Sequence, residues 1–159
     1  MDPLPMDSLA LRQLETFGVP TTILITNENH QRASLEMQKK WKIPILAGEG
    51  AELVADEYLR EGQTILENLQ ILHLPGAGKG EIAVLQKNVL GVFGDFLIHL
   101  EPDRLELLPE KYCENSELAR RSLSRLRGWD IPILLFAHGL PIMSEGSLHL
   151  EKLLKTTEN

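Results

Sequence analysis

Apolar positions change their spacing along this chain, and the change separates two kinds of structure. Leu11 and Leu14 lie three apart on one face, so they predict a short helix that Asp7 or Ser8 can cap and that Gly18 and Pro20 stop. Thr21 to Thr26 is β-branched and continuously apolar in its middle, as a strand buried on both faces would be. A helix from about His30 to Lys42 places Ala33, Met37 and Trp41 on one side, as core rather than as a binding stripe. Pro44 to Ala47 reads as a second strand, which gives a strand–helix–strand unit of a parallel sheet. Ala51 to Tyr58 reads as a weak helical stretch.

From Gly62 onward the period becomes two. Strands are predicted at Leu69–Leu74, Glu81–Gln86 and Val89–Phe93, separated by Gly-rich or Lys-Asn turns, so this half is an antiparallel meander. Pro102 to Pro109 is expected to be irregular. Ser116 is expected to cap a helix with Ala119, Leu123 and Leu126 inward, and Gly128 ends it. Its outer face carries Arg120, Arg121, Arg125 and Arg127, which reads as a solvated face. Ile131 to Phe136 is another buried strand, and a helix over about Ser147–Lys155 follows.

Composition narrows the class without naming a function. At 159 residues the chain is expected to form one domain, 1–159, with a substantial core. A formal charge of −7 argues against a general grip on nucleic acid or an anionic membrane. Cys113 is the sole cysteine, so intramolecular disulfides and thiolate-cluster metal sites are excluded. The start of the chain lacks the basic and apolar regions of a signal peptide, and no apolar run nears the roughly 20 residues that span a bilayer. A cytoplasmic location is the expectation.

Candidate chemistry gathers at strand ends. Thr26-Asn27-Glu28-Asn29-His30-Gln31-Arg32 follows the first strand, Gly94-Asp95 follows Val89–Phe93, and Ala137-His138-Gly139 follows Ile131–Phe136. Each is a weak signal alone, and three such ends together weigh more. Pro75-Gly76-Ala77-Gly78-Lys79-Gly80 has the wrong spacing for a P-loop and leads into a strand, not a helix. His73, His99 and His149 read as structural or surface residues, and Cys113 lacks an activating base nearby in sequence.

The order and spacing of these pieces resemble the metallo-β-lactamase fold superfamily over nearly the whole chain. Active members carry T-H-x-H-x-D-H at a strand end, where the histidines and aspartate hold zinc or iron. By that resemblance Asn27, Asn29, Gln31 and Arg32 occupy the four ligand positions after Thr26. Ala77 stands at the histidine of P-G-H-x-x-G, while Asp95 and His138 match the remaining aspartate and histidine. The resemblance implies an αββα four-layer sandwich lacking its first N-terminal strands, with the usual strand-end aspartate falling at Asp2-Pro3.

With two of seven ligand positions retained, the leading expectation is a degenerate member that binds no metal and serves as a binding or scaffold protein. Arg32 is then expected to pair with Asp95 in the cation's place. The alternative is a hydrolase with one zinc, iron or manganese held by Asp95, His138 and a slipped His30, with Asp95 and His138 also catalytic. Expected partners are a second copy through an exposed sheet edge, or an unidentified small molecule or protein.

Overall fold

The computed structural model describes residues 1–157. Its strands fall into three sheets: a parallel sheet in the order β1-β2-β3, a five-stranded sheet in the order β10-β7-β6-β5-β4, and a β8-β9 hairpin. In chain order, helix α1 (Ser8–Thr16) precedes β1 (Ile23–Ile25), α2 (Ser34–Trp41), β2 (Ile45–Gly48) and β3 (Glu57–Leu59). The meander is β4 (Thr64–Ile65), β5 (Leu69–His73), β6 (Ile82–Gln86) and β7 (Leu90–Phe93). The hairpin strands β8 (Leu97–Glu101) and β9 (Arg104–Leu107) come next, then α3 (Ser116–Leu123), β10 (Ile133–Phe136) and α4 (Gly146–Thr157).

Strand alternation builds the layers. Ile23 and Ile25 of β1, with Ile45 and Ala47 of β2, face Ala33 and Met37 beside and within α2. The intervening Leu24 and Leu46 point the other way, onto Ile71, Ile82 and Val84 of the larger sheet. That sheet's opposite face, including Leu72, Ala83, Leu85 and Phe93, packs on Ala119 and Leu123 of α3 and on Leu150 and Leu154 of α4. Helix, sheet, sheet and helix thus stack with an apolar interface between each pair, an αββα sandwich. Alternate residues of one strand fill different interfaces, so a one-residue slip of β1 would damage two of them.

Several predicted boundaries move. Asp7 caps α1, its Oδ1 accepting the N–H groups of Leu9 and Ala10 at 2.9 and 2.8 Å. Asn115, not Ser116, caps α3 by accepting the Leu118 N–H. The helix expected from His30 begins instead at Ser34, because Arg32 takes a left-handed φ of 34° that a continuous right-handed helix excludes. The helical expectation for Ala51–Tyr58 is wrong: Glu57–Leu59 pairs in parallel with β2, and the Asp56 carboxylate accepts the Ile45 N–H at 2.8 Å. The segment expected to be irregular after Pro102 holds β9, which pairs with β8.

Parallel pairing of β10 with β7 sets their two ends side by side. The Ile82 N–H donates to the Thr26 carbonyl at 2.8 Å, which joins the end of β1 to the start of β6. The chain's first residues run beside β1: the Asp2 N–H donates to the Leu24 carbonyl and the Ala33 N–H to that of Pro3. Those contacts cover part of the β1 edge. Among the described residues no helix is long and apolar enough to cross a membrane.

Candidate metal centre

The site starts where β1 ends. Thr26 and Asn27 are fully buried, and the Asn27 Oδ1 accepts the Asn29 N–H at 2.9 Å, which starts a single 3-10 turn over Glu28–His30. Residues three apart eclipse in a 3-10 helix. Asn27 and His30 therefore project to the same side, toward Asp95.

Asp95 follows Gly94 at the end of β7, where any Cβ on residue 94 would collide with the Thr26 hydroxyl and the Glu81 carboxyl. His138 follows β10 and is held there by backbone bonds from Ala137 to Phe93 and from His99 to the His138 carbonyl. The three strand ends singled out in the sequence do converge. His30 Nε2 lies 3.1 Å and His138 Nε2 3.0 Å from the same oxygen, Asp95 Oδ1. The other Asp95 oxygen accepts a hydrogen bond from the Asn27 Nδ2 at 3.1 Å.

Two acids complete the cluster. Asp2 lies against the far side of His30, with its Oδ2 3.1 Å from Nδ1, and accepts the Thr26 N–H and hydroxyl at 2.8 and 2.7 Å. Because the Thr26 hydroxyl donates to Asp2, its lone pairs face Nδ1, and both neighbours favour a proton on that nitrogen. Glu81, 2% exposed, accepts from Asn27 Nδ2 at 2.8 Å and from the Phe96 N–H at 3.0 Å.

Burial disfavours the charged form of His30, but hydrogen bonds to Asp2 and Asp95 outweigh it and raise the imidazole to about 9. Burial likewise pushes Asp95 up, and the His30 hydrogen bond and charge overcome it, holding the carboxyl below the usual range. For Glu81 burial wins over the bonds from Phe96 and Asn27, and the acid rises to about 8. Two carboxylates, Asp2 and Asp95, thus flank the two ring nitrogens of His30, and Glu81 is joined to Asp95 through the Asn27 amide.

A family profile for the Metallo-beta-lactamase superfamily matches residues 1–157. The chain belongs to that superfamily. Among curated proteins none matches. Among solved structures, a di-iron-bound form of TTHA1623 is similar over 88% of this chain and 81% of its own, at 22% identity and a TM-score of 0.68. VMB-1 covers 100% of this chain and 80% of its own at 15% identity, TM-score 0.70. ETHE1 from Myxococcus xanthus covers 95% of this chain and 74% of its own at 18% identity, TM-score 0.65. At these identities the neighbours support the fold.

Against the superfamily's ligand pattern, the structure corrects one expectation. Arg32 does not take the cation's place beside Asp95; it is exposed, while His30, His138 and Asn27 occupy Asp95. The cause is the 3-10 turn, which swings His30 inward and leaves Arg32 beyond it. Asn27 is turned in as a hydrogen-bond donor, Asn29 lines an adjacent cavity, and Ala77 is buried in the core. Gln31 is half-buried and accepts the Ser34 N–H on its backbone carbonyl.

The residues present fit a single metal ion of the superfamily's kind. His30, Asp95 and His138 each offer a donor atom, and the three lie within 4.8 Å of one another. Their contacts of 3.0 and 3.1 Å compare with about 3.3 Å between neighbouring ligands of a tetrahedral zinc with bonds of about 2.0 Å. Asp2 on Nδ1 supplies the carboxylate–histidine support that metal-ligating imidazoles commonly have. The set does not fit a second ion, since the positions that would hold it carry amides, an arginine and an alanine.

Glu81 was not picked out as a site residue by sequence, and Asp2 was matched only to the superfamily's usual strand-end aspartate, with no role in the site. Glu81 had a signal, a glutamate opening an otherwise apolar strand after a Gly-rich loop. The remaining candidates stay outside: His99 sets both ring nitrogens against backbone carbonyls of Leu140 and Pro102, and His73 faces that of Leu59. The Cys113 thiol, raised by burial and by Glu110, points at the Leu108 carbonyl.

Proposed function

We propose that the protein is a mononuclear metal-dependent hydrolase in which His30, Asp95 and His138 hold one zinc, iron or manganese ion. The observation that carries this reading is the pairing of His30 Nε2 and His138 Nε2 on one Asp95 oxygen, with Asp2 behind His30. When bound, such an ion polarises a carbonyl and lowers the pKa of a bound water toward 7.

The chain's own residues orient that set. Asp2 and Thr26 keep the proton on His30 Nδ1 and leave the Nε2 lone pair, on the side of Asp95, for the ion. The Asn27 amide fixes the second Asp95 oxygen, so the carboxylate cannot rotate away without losing a bond. His138, 45% exposed, is the member of the set that meets solvent and substrate.

A second reading is favoured by the same His30. Held protonated between Asp2 and Asp95, its imidazolium can itself stand in the cation's place, as in a metal-free binding or scaffold protein. Metal content separates the two. Protein expressed with zinc, iron and manganese supplied is expected to retain about one equivalent, and Asp95→Ala and His138→Ala are expected to lose it. Retention of none by a folded wild-type protein supports the scaffold reading.

A further inference from the structure

We infer that the cavity beside Asp95 and His138 receives an uncharged apolar group of the substrate and rejects anionic ones. This deepens the hydrolase reading and rests on it for the word substrate. The cavity is about 440 Å³, within the range of about 300–1,000 Å³ of small-molecule sites. Ile98, Leu100, Leu108, Pro109 and Tyr112 form its walls. Besides the Tyr112 hydroxyl, its polar side chains are Asn29, Asp95 and His138. A largely apolar chamber that opens on the metal-capable set fits a molecule whose reactive end is polar and whose body is not.

Leu100 and Tyr112 are 64% and 63% exposed, which is a large apolar area to leave in water at the mouth of a polar site. Covering it by an apolar group is a source of binding free energy. Charge points the same way. No lysine or arginine lines this cavity, whereas Arg104, Arg120 and Lys152 line one of the two larger cavities and Lys79 and Arg125 the other. Lys111 lies over the Tyr112 ring at 4.7 Å but is not part of the lining. In the metal-free protein an anionic ligand would instead meet the Asp95 carboxylate in the lining, with no lysine or arginine there to pair with it.

The test compares two probes that differ by one sulfonate, on the chelator-treated full chain. N-phenyl-1-naphthylamine is neutral, and 8-anilinonaphthalene-1-sulfonate is its anionic counterpart. Saturable fluorescence enhancement is expected for the neutral probe, with an affinity at least tenfold above that for the anion. Leu100→Asp and Tyr112→Asp alter exposed side chains, so each is expected to fold with an unchanged Tm and to weaken the neutral probe at least tenfold. Leu148→Asp, an exposed leucine on α4, is expected to leave it unchanged. The inference is overturned by absence of saturable binding, by equal or tighter binding of the anion, or by affinity that ignores Leu100 and Tyr112. Because no metal is present in this experiment, its failure leaves the metal count untouched, and a failed metal count leaves this result standing.

Discussion

Two histidines of this protein are almost wholly buried, yet they sit in opposite surroundings. His30 is 1% exposed and His99 is 4% exposed. The ring nitrogens of His99 face the carbonyls of Leu140 and Pro102, neutral acceptors supplied by loops that the ring stitches together. Those of His30 face the carboxylates of Asp2 and Asp95, and a third carboxyl, Glu81, is linked to Asp95 through Asn27. Burial alone therefore says little about a histidine's task. What faces its nitrogens decides: carbonyls make a structural tie, whereas carboxylates make a place for a cation, a proton or a metal ion.

The sharpest way to break this comparison is through pH. With its folded-state value raised from 6.5 to about 9, His30 stabilises the metal-free protein fully below pH 6.5. That stabilisation, about 3 kcal/mol, is lost as pH rises through about 9. Urea titrations of chelator-treated protein at several pH values should show that decline, and His30→Gln should flatten its upper part, between about pH 8 and 9, leaving the slope that Glu81 adds below about pH 8. A wild-type curve level from pH 6 to 10 would contradict the assignment.

Asp2 gives a smaller but more specific test. Asp2→Asn keeps the shape and removes the charge behind His30, so metal affinity is expected to fall about 10–100-fold. His99→Phe gives the contrast: two carbonyls lose their partner, which costs about 1–3 kcal/mol of stability, with metal affinity unchanged. The smallest effect is predicted for Arg32→Ala. An exposed side chain away from Asp95 should change stability by no more than about 0.5 kcal/mol, measured by denaturant midpoint.

The same contrast explains what the sequence reveals. Strands that alternate or run apolar between turn residues, such as Ile23–Ile25 and Ile82–Gln86, carry their own signature, and so do Asp95 and His138 at strand ends beside glycine. His30 was visible as a candidate but not as the resident, because its inward turn depends on Asn27 capping a single 3-10 turn and on Arg32 turning left-handed. Asp2 reaches His30 across 28 positions of sequence and has no local pattern to betray it. The β3 strand was misread because Glu57 and Tyr58 are exposed and the strand exists only through its pairing with β2. The β8-β9 hairpin hid behind a Pro-Asp turn that looked like the start of a loop.

The most direct test of the central claim is a metal titration of the chelator-treated protein, followed by calorimetry with zinc, iron(II) and manganese in turn. The account predicts one site for at least one of these ions, abolished by His30→Ala, Asp95→Ala and His138→Ala and unaffected by His99→Phe. Absence of binding by the folded wild-type protein, or a site indifferent to those three substitutions, would contradict it.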